Sequence, residues 1–382
     1  MTRIYLDNAA TTTVRPEVVA TMTPLLGGGY NPSSLHAEGR AARAVVDEAR
    51  ATVARILGAA PREIVFTGGG SEADVLAIVG TARALRERGR HVVTSAIEHH
   101  AVLHAVDVLE RDGWTVTRLP VDARGLVDPA AFAAALTDRT TVASIMLANN
   151  ELGVIEPIAE LAALARARGV RFHTDAVQAA GWLPLDAGAL GVDLLSLSAH
   201  KFNGPKGVGV LYVRGGTPVE AQIVGGGQEH GLRSGTENVA GIAGFAAALA
   251  LAEAERPAVA ERVAALRDRL EAGVLATIPD VRVNGTGAPR LPSILSAAFA
   301  DAPGDALLIR LDLEGIAASA GSACAAGSLE PSHVALALGL DPRFRLGVIR
   351  FSLGRTTTAE EIETVLARLP ALLVGVRTPL AV

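Results

Sequence analysis

Two lysines stand out in this sequence, because every other basic residue is an arginine. The chain has 35 basic residues, and removing Lys201 and Lys206 leaves 33 arginines. A primary amine can lose its proton and form a Schiff base with a carbonyl compound, whereas a guanidinium group cannot do so at neutral pH. Lys201 follows Ser198 and His200 at the end of a predicted strand, where desolvation would favour a nucleophilic amine. We expect Lys206, in a Gly-Pro-Lys-Gly turn, to be exposed or structural.

A carboxylate and three histidines are further candidates for chemistry. Asp175 follows a buried-looking strand, where it could cap a helix or pair with the protonated pyridine nitrogen of a cofactor. His99 lies at a strand end and could stack on a flat ring or move protons. His100 and His104 lie one helical turn apart, but no third ligand or catalytic glutamate accompanies them at zincin spacing. The sequence therefore predicts no metal site.

A glycine-rich turn and a lone cysteine complete the set. Residues 68–71 (GGGS) separate a predicted strand from a predicted helix and could offer backbone N–H groups to a phosphate, or be only a turn. The turn is neither a P-loop nor a GxGxxG motif. Cys324 is the only cysteine, so it forms no internal disulfide. Its small neighbours suit a thiolate that must travel, although a lone cysteine is more often a small buried hydrophobe. No GxSxG motif indicates a serine hydrolase.

The elements that must position these residues alternate along the chain. The predicted strands are 64–67, 91–95, 115–119, 142–147, 171–174, 194–197 and 207–213. Helices are predicted from about residue 72, over 99–110 and over 239–252, followed by a charged, largely helical connector at 253–270. This alternation indicates a mostly parallel sheet covered by helices, with ligands at the carboxyl ends of its strands.

Composition limits the class of protein. The chain has 382 residues, 49% of them hydrophobic, and a net charge of −5. No basic stripe indicates direct nucleic-acid binding, and the longest apolar run, 239–252, is too short to span a bilayer. The sequence begins without a signal-peptide pattern, so we expect a cytoplasmic protein. We predict a large domain at 13–255 and a smaller α/β domain formed by 1–12 and 256–382.

Seven motifs, in this order, resemble those of the cysteine desulfurases that depend on pyridoxal 5'-phosphate (PLP). They are YLDNAATT at 5–12, NPSS at 31–34, NNELG at 149–153, SAHK at 198–201, RSGT at 233–236, GSAC at 321–324 and IRFSLGR at 349–355. The resemblance is to the iron–sulfur-cluster and nitrogen-fixation type within the class V aminotransferase family. It implies PLP-dependent fold type I, a large sheet domain with a smaller C-terminal α/β domain.

The resemblance also implies roles for individual residues. Lys201 would bond to the cofactor and then act as base at the substrate Cα, and His99 would stack on the ring and shuttle protons. Asp175 would hold the ring nitrogen and Gln178 the phenolic oxygen. The phosphate would be held by Gly70, Ser71, Ser198 and His200, together with Thr236 of the partner in a homodimer. L-cysteine would bind through its carboxylate to Asn150 and Arg350, and Cys324 would take up its sulfur as a persulfide.

Several alternatives remain open at this point. The chain could be a selenocysteine lyase or another class V aminotransferase, or a sulfur-relay scaffold without catalysis. Ser71 stands where many relatives have threonine, and AAG at 325–327 replaces a hydroxyl-containing pair. The resemblance implies a sulfur-acceptor protein without naming it: iron–sulfur cluster assembly, tRNA or cofactor thiolation and DNA phosphorothioation all draw on this family.

Overall fold

The computed structural model describes residues 3–28, 30–321 and 330–377. The chain begins with strand β1 (Ile4–Tyr5) and helices α1 (Pro16–Gly28) and α2 (Ala37–Ile56). A seven-stranded sheet follows, in the spatial order β2-β8-β7-β6-β5-β3-β4. Its strands are β2 (Ile64–Thr67), β3 (His91–Ser95), β4 (Thr115–Leu119), β5 (Thr140–Ser144), β6 (Arg171–Asp175), β7 (Leu194–Ser198) and β8 (Gly209–Val213).

The predicted mostly parallel sheet is confirmed. Strands β4, β3, β5, β6 and β7 run parallel to one another, and β8 runs antiparallel to both β7 and β2. The strands are buried on both faces apart from β4, which explains why they read as continuous β-branched and apolar runs. Strand β5 ends at Ser144, earlier than the predicted end at residue 147. Ile145 N and Leu147 N nevertheless donate to the carbonyls of His173 and Asp175 on β6.

Helices cover this sheet. They are α3 (Gly70–Val75), which continues through a wider turn at Leu76–Gly80 into α4 (Thr81–Ala84), α5 (His100–Arg111), α6 (Pro129–Ala135), α7 (Ile158–Ala167) and α8 (Ala187–Leu190). Helix α5 buries Val102, Ala105, Val106 and Leu109, which repeat at helical spacing on one face. These residues share a core with Val92 and Val142 of the sheet, whereas α2, α6 and α7 share the largest hydrophobic core of the described residues with the sheet.

A second, smaller core forms around another sheet. Strands β9 (Val281–Val283), β10 (Ile294–Phe299) and β12 (Val348–Ser352) pair antiparallel in the order β12-β10-β9, and β11 (Ile316–Ala317) pairs in parallel with β1. Helices α10 (Gly304–Leu313), α11 (His333–Ala337), α12 (Pro342–Arg345) and α13 (Ala359–Arg377) accompany it. Leu6 from the N-terminal segment packs into this core, so the start of the chain contacts its C-terminal third.

A single long helix replaces the predicted helix and separate connector. Helix α9 (Val239–Thr277) runs for 39 residues and contains Pro257. Its first part packs in the large core, for example through Phe245, and its last part packs in the small core through Val263 and Leu270. The charged middle of α9 therefore lies between the two cores, and its polar composition does not require the helix to end there. None of the helices in the described ranges is long and apolar enough to cross a membrane.

A buried ion pair anchors the loop before α9. Arg50 Nη2 lies 2.7 Å from Glu229 Oε1, and Arg50 Nη1 donates to Glu229 Oε2 at the same distance. Glu229 Oε2 also accepts from Phe66 N at 2.8 Å, and the guanidinium carbon lies 4.9 Å from the Phe66 ring centre. Both charged side chains are about 95% or more buried. The pair therefore ties the loop to α2 and β2.

Substituting Glu229 tests this anchor. Glu229→Gln leaves the Arg50 charge buried without a counter-ion, so we expect the free energy of unfolding to fall by about 3–5 kcal/mol. The control is Glu363→Gln, which breaks an ion pair with Arg269 whose side chains are 54–55% exposed and should leave the free energy of unfolding nearly unchanged. Chemical denaturation measures both. Equal losses in the two variants would contradict the anchoring role.

Candidate active site

A cavity of about 280 Å³ lies at the carboxyl edge of the large sheet. Asp175 ends β6, Ser198 ends β7, and His99 follows β3 by four residues. Parallel strands end at one edge, so residues far apart in sequence meet there. The structure brings ten of the sequence-predicted site residues together in its lining: Gly70, Ser71, His99, Asn150, Asp175, Gln178, Ser198, His200, Lys201 and Arg350.

Lys201 reaches across the cavity to the N-terminal segment. Its Nζ donates to the carbonyl oxygens of Ala9 at 2.5 Å and Ala10 at 2.9 Å. Gln178 Nε2 also donates to Ala9 O, at 2.9 Å. The amine therefore links the end of β7 to the N-terminal segment, which precedes the large sheet in the sequence.

Two buried aspartates lie deep in the same cavity. Asp175 Oδ1 accepts from Val177 N at 2.9 Å, and burial raises the pKa of Asp175 to about 6. Asp74, which sequence reasoning missed, is 1% exposed and also lines the cavity. Burial, then the Asp175 carboxylate, raise the pKa of Asp74 well above its usual value. The signal in the sequence was its place one helical turn after Ser71, on the same face of the helix.

The two cavity histidines are neutral near pH 7. His99 caps α5, its Nδ1 accepting from Ala101 N at 3.1 Å. Burial, and secondarily the Lys201 ammonium, lower the pKa of His99 to about 4. His200 Nδ1 lies 3.1 Å from Thr11 Oγ1, and the same two causes lower its pKa to about 4. Each ring can therefore take up a proton only transiently at neutral pH.

Arg350 also lines the cavity. It is 1% exposed, its Nη2 donates to Asp7 Oδ1 and its Nη1 to Asn150 O, both at 2.9 Å. Its Nε has no hydrogen-bond partner. Asp7, another residue that sequence analysis did not single out, lies in the YLDNAATT motif. A guanidinium held from two sides is oriented to bind a carboxylate.

A second cavity of about 440 Å³ adjoins the first at the glycine-rich turn. A Cβ on Gly70 would lie 2.9 Å from Val177 Cγ2, and one on Gly209 would lie 2.5 Å from the backbone carbon of Gly69. Both positions therefore require glycine. Gly69, with φ +154°, precedes α3, and Gly69, Gly70 and Ser71 line this space. The start of the helix therefore borders the cavity, and the N–H groups of a first helical turn are suited to a phosphate.

One predicted site residue, Thr236, lies apart from these cavities, and another cannot be placed. Thr236 is exposed in the protomer and lines neither of them. Cys324 lies outside the described residues. On the far side of its segment, Ser332 Oγ donates to Glu151 Oε2 at 2.6 Å, and a Cβ on Gly321 would lie 2.7 Å from the same oxygen. The described residues that flank the segment thus contact the neighbour of Asn150.

His100 and His104 lie on α5 beside the cavity. Their ring centres are 5.5 Å apart, and the His100 ring centre is 4.8 Å from that of His333. His333 Nε2 is 2.9 Å from Glu98 O. Burial lowers the pKa of His100 and of His333. This histidine cluster therefore packs against the segment that positions His99.

The fold and this site define a class before any relative is considered. A large, mostly parallel sheet with a smaller α/β part, and a lysine at the sheet edge facing an aspartate and a histidine, are those of PLP-dependent fold type I. Comparison with known proteins agrees. The profile of the Aminotransferase class-V family matches residues 4–365, and the chain belongs to that family.

Individual relatives cover nearly the whole chain. Cysteine desulfurase IscS of Dictyoglomus turgidum is 48% identical over 376 residues, which are 98% of this chain and 95% of that protein. A solved NifS-like protein superposes with a TM-score of 0.91 at 36% identity, covering 98% of this chain and 100% of the other. SspA, solved in complex with cysteine, superposes with a TM-score of 0.82 at 35% identity, covering 93% and 100%.

Glu98 offers a test of how dry this region is. It is fully buried, its Oε1 accepts from Ser95 Oγ and Met146 N, and its Oε2 has no partner. Burial raises the pKa of Glu98 to about 8. At pH values between 4.5, the pKa of Glu98 in the unfolded chain, and about 8, the folded state therefore keeps a proton that the unfolded state releases. Stability must fall across this window as pH rises, by about 1.4 kcal/mol per pH unit.

Glu98→Gln removes this titration. We expect the variant to gain free energy of unfolding relative to the wild type as pH rises from about 5 to about 8, because glutamine cannot ionise. Denaturant titrations at several pH values measure the difference. Glu87→Gln, at a side chain that is 96% exposed, is the control and should leave the pH slope unchanged. Parallel curves for Glu98→Gln and the wild type would refute a buried, proton-bearing Glu98.

Proposed function

We propose that this chain is a PLP-dependent cysteine desulfurase. It converts L-cysteine to L-alanine and carries the sulfur as a persulfide on Cys324 to an acceptor protein. The observation that carries the proposal is one cavity lined by Lys201, His99, Asp175 and Arg350 together. The relatives named above support the choice of L-cysteine.

The residues of the cavity fit the cofactor. Bound PLP supplies an aldehyde that bonds to an amine and a ring that withdraws electrons from the substrate Cα. Lys201 is the amine at hand, and Asp175 provides an anion for the ring nitrogen above its pKa of about 6. His99, neutral and largely buried, is suited to stack on the ring. Gln178 would bond the phenolic oxygen.

The adjoining glycine-lined cavity is suited to the phosphate. Gly70 leaves its backbone N–H open at the start of α3, and Ser71, Ser198 and His200 line both cavities. The helix N-terminus and the hydroxyl groups together favour an anion there. The serine at position 71 keeps the hydroxyl that this role requires.

The substrate carboxylate belongs at the other end. Arg350, oriented by Asp7 and by Asn150 O, would bind it through its fork, with the Asn150 side chain assisting. This places the substrate Cα towards Lys201, whose neutral amine would remove the Cα proton. His99 would receive and return protons on the way to alanine.

Sulfur transfer then requires a thiolate. The Cys324 sulfur forms a bond with the substrate sulfur as the bond between that sulfur and the substrate Cβ breaks. The electron pair of the broken bond stays with the carbon product, and protons delivered in the pocket complete alanine. The second sulfur remains on Cys324 as the persulfide, and a thiol of the acceptor can take it by attack on that sulfur.

The surroundings of the site support three further proposals. Thr236 is exposed in the protomer and would reach the phosphate of a partner's cofactor in a homodimer. The chain would divide into a large domain, 13–255, and a small one, 1–12 with 256–382, in agreement with the two cores. A thiolate that must stay reduced suits the cytoplasm.

A spectrum and a product assay test the proposal. The wild type with PLP should show a visible absorption band that Lys201→Ala loses, and L-cysteine together with a thiol reductant, which releases the persulfide sulfur, should yield alanine and sulfide. Cys324→Ala should lose more than 99% of both products while keeping the band. If Cys324→Ala still turns over selenocysteine fully, the result would support a selenocysteine lyase instead. If it still transfers amino groups at the full rate, the result would support an aminotransferase. A wild type that binds no PLP would favour the scaffold.

Mixed dimers test the position of Thr236. Lys201→Ala and Thr236→Ala should each be inactive or strongly impaired alone. If Thr236 acts across the dimer, a heterodimer has one site with both native residues, so random mixing should restore roughly a quarter of wild-type activity. Activity after unfolding and refolding the mixture together, against each variant refolded alone, measures this. No recovery in a mixture shown to contain heterodimers would mean that Thr236 acts within its own subunit.

A further inference from the structure

We propose that Lys206 supplies the positive charge that holds the cofactor phosphate in the glycine-lined cavity. The inference rests on the proposed PLP site and adds a binding residue to it. Lys206 lines this cavity together with Gly70, Ser71, Ser198 and His200. The sequence alone suggested only an exposed or structural role for Lys206.

The charges that line this cavity leave Lys206 as the available cation. Three of its described lining residues are ionisable: Glu72, His200 and Lys206. Glu72 is already engaged, because its Oε1 lies 2.9 Å from Arg233 Nε and its Oε2 accepts from Gly68 N at 2.8 Å. Its negative charge is thus balanced by the guanidinium of Arg233.

His200 cannot provide the charge. Burial and the Lys201 ammonium lower the pKa of His200 to about 4, and Lys206 itself contributes to that shift. The His200 ring is therefore neutral near pH 7 and can offer a hydrogen bond without a charge. The shift also shows that the Lys206 ammonium lies near enough to His200 for its field to be felt there.

The other cations of the site have different tasks. Lys201 and Arg350 line the first cavity and are not among the described residues that line the glycine-lined one. Lys201 would be engaged by the cofactor aldehyde, and Arg350 is held by Asp7. Without Lys206, a phosphate with nearly two negative charges would meet backbone dipoles, neutral groups and the Glu72–Arg233 ion pair, whose charges cancel. The Lys206 ammonium supplies the positive charge that these groups lack.

The residue type agrees with this role. Lys206 is one of two lysines in a chain whose other 33 basic residues are arginine. It lies in a tight turn between Pro205 and Gly207, whose φ is +76°. A compact ammonium on a flexible stem can approach a phosphate from such a turn, whereas a planar guanidinium needs more room.

Comparing PLP with pyridoxal, which lacks the phosphate, isolates the contribution of Lys206. The full-length protein, freed of cofactor by treatment with hydroxylamine and dialysis, is titrated with each compound and followed by absorbance. We expect Lys206→Met to raise the dissociation constant for PLP about tenfold or more, and to leave that for pyridoxal within about twofold. Because Lys206 is exposed, the loss should shrink as salt is added. Lys206→Arg, which keeps the charge, should recover part of the PLP affinity.

The matched control is Arg111→Met. It removes one exposed positive charge from the far end of α5 and should change neither dissociation constant. Equal weakening of PLP and pyridoxal by Lys206→Met would show a structural effect and overturn the inference. Unchanged PLP affinity would overturn it as well, while leaving the proposed function intact. A wild type that binds neither compound would overturn the proposed function and this inference together.

Discussion

Residues 4–12 form the connection on which both ends of the cavity depend. Ile4 and Tyr5 pair with β11 in the smaller sheet, and Asp7 holds Arg350. Two residues later, the carbonyl of Ala9 accepts from both Lys201 and Gln178. This segment has little secondary structure of its own, so its backbone groups take their partners from both parts of the fold. One short piece of chain, with a turn at residues 8–10, therefore contacts both the amine and the guanidinium.

Around this segment, burial determines which side chains carry a charge and which are neutral. His99 and His200 are neutral, whereas Glu98 and Asp74 favour their protonated forms because ionisation in a dry region is costly. The charged groups that remain lie at defined places, with the Lys201 amine central and Arg350 at one end. Such an arrangement prepares a site for charge that develops during a reaction and needs little reorganisation to do so.

Much of the fold followed from local pattern. The predicted bounds of β2, β3 and β4 agree with the structure, because each strand is a short β-rich run bounded by turn residues. The helix predicted over 239–252 and the largely helical connector predicted over 253–270 form one continuous helix, α9, which runs to Thr277 across charged residues and Pro257. Composition alone could not tell a connector from a helix joining two cores, because that distinction depends on what packs at each end.

The sequence by itself determined the residue types that can do the chemistry, their order along the chain and the alternation that places them at strand ends. It singled out Lys201, His99 and Asp175, since amine, imidazole and carboxylate at a sheet edge are recognisable by type and position. Only the tertiary structure decided that Asp7 orients Arg350, that Asp74 lies beside Asp175 and that Lys206 faces the glycine-lined cavity. These contacts join residues as far as 343 positions apart, and burial and proton affinity depend on all the groups that surround a side chain rather than on its neighbours in sequence.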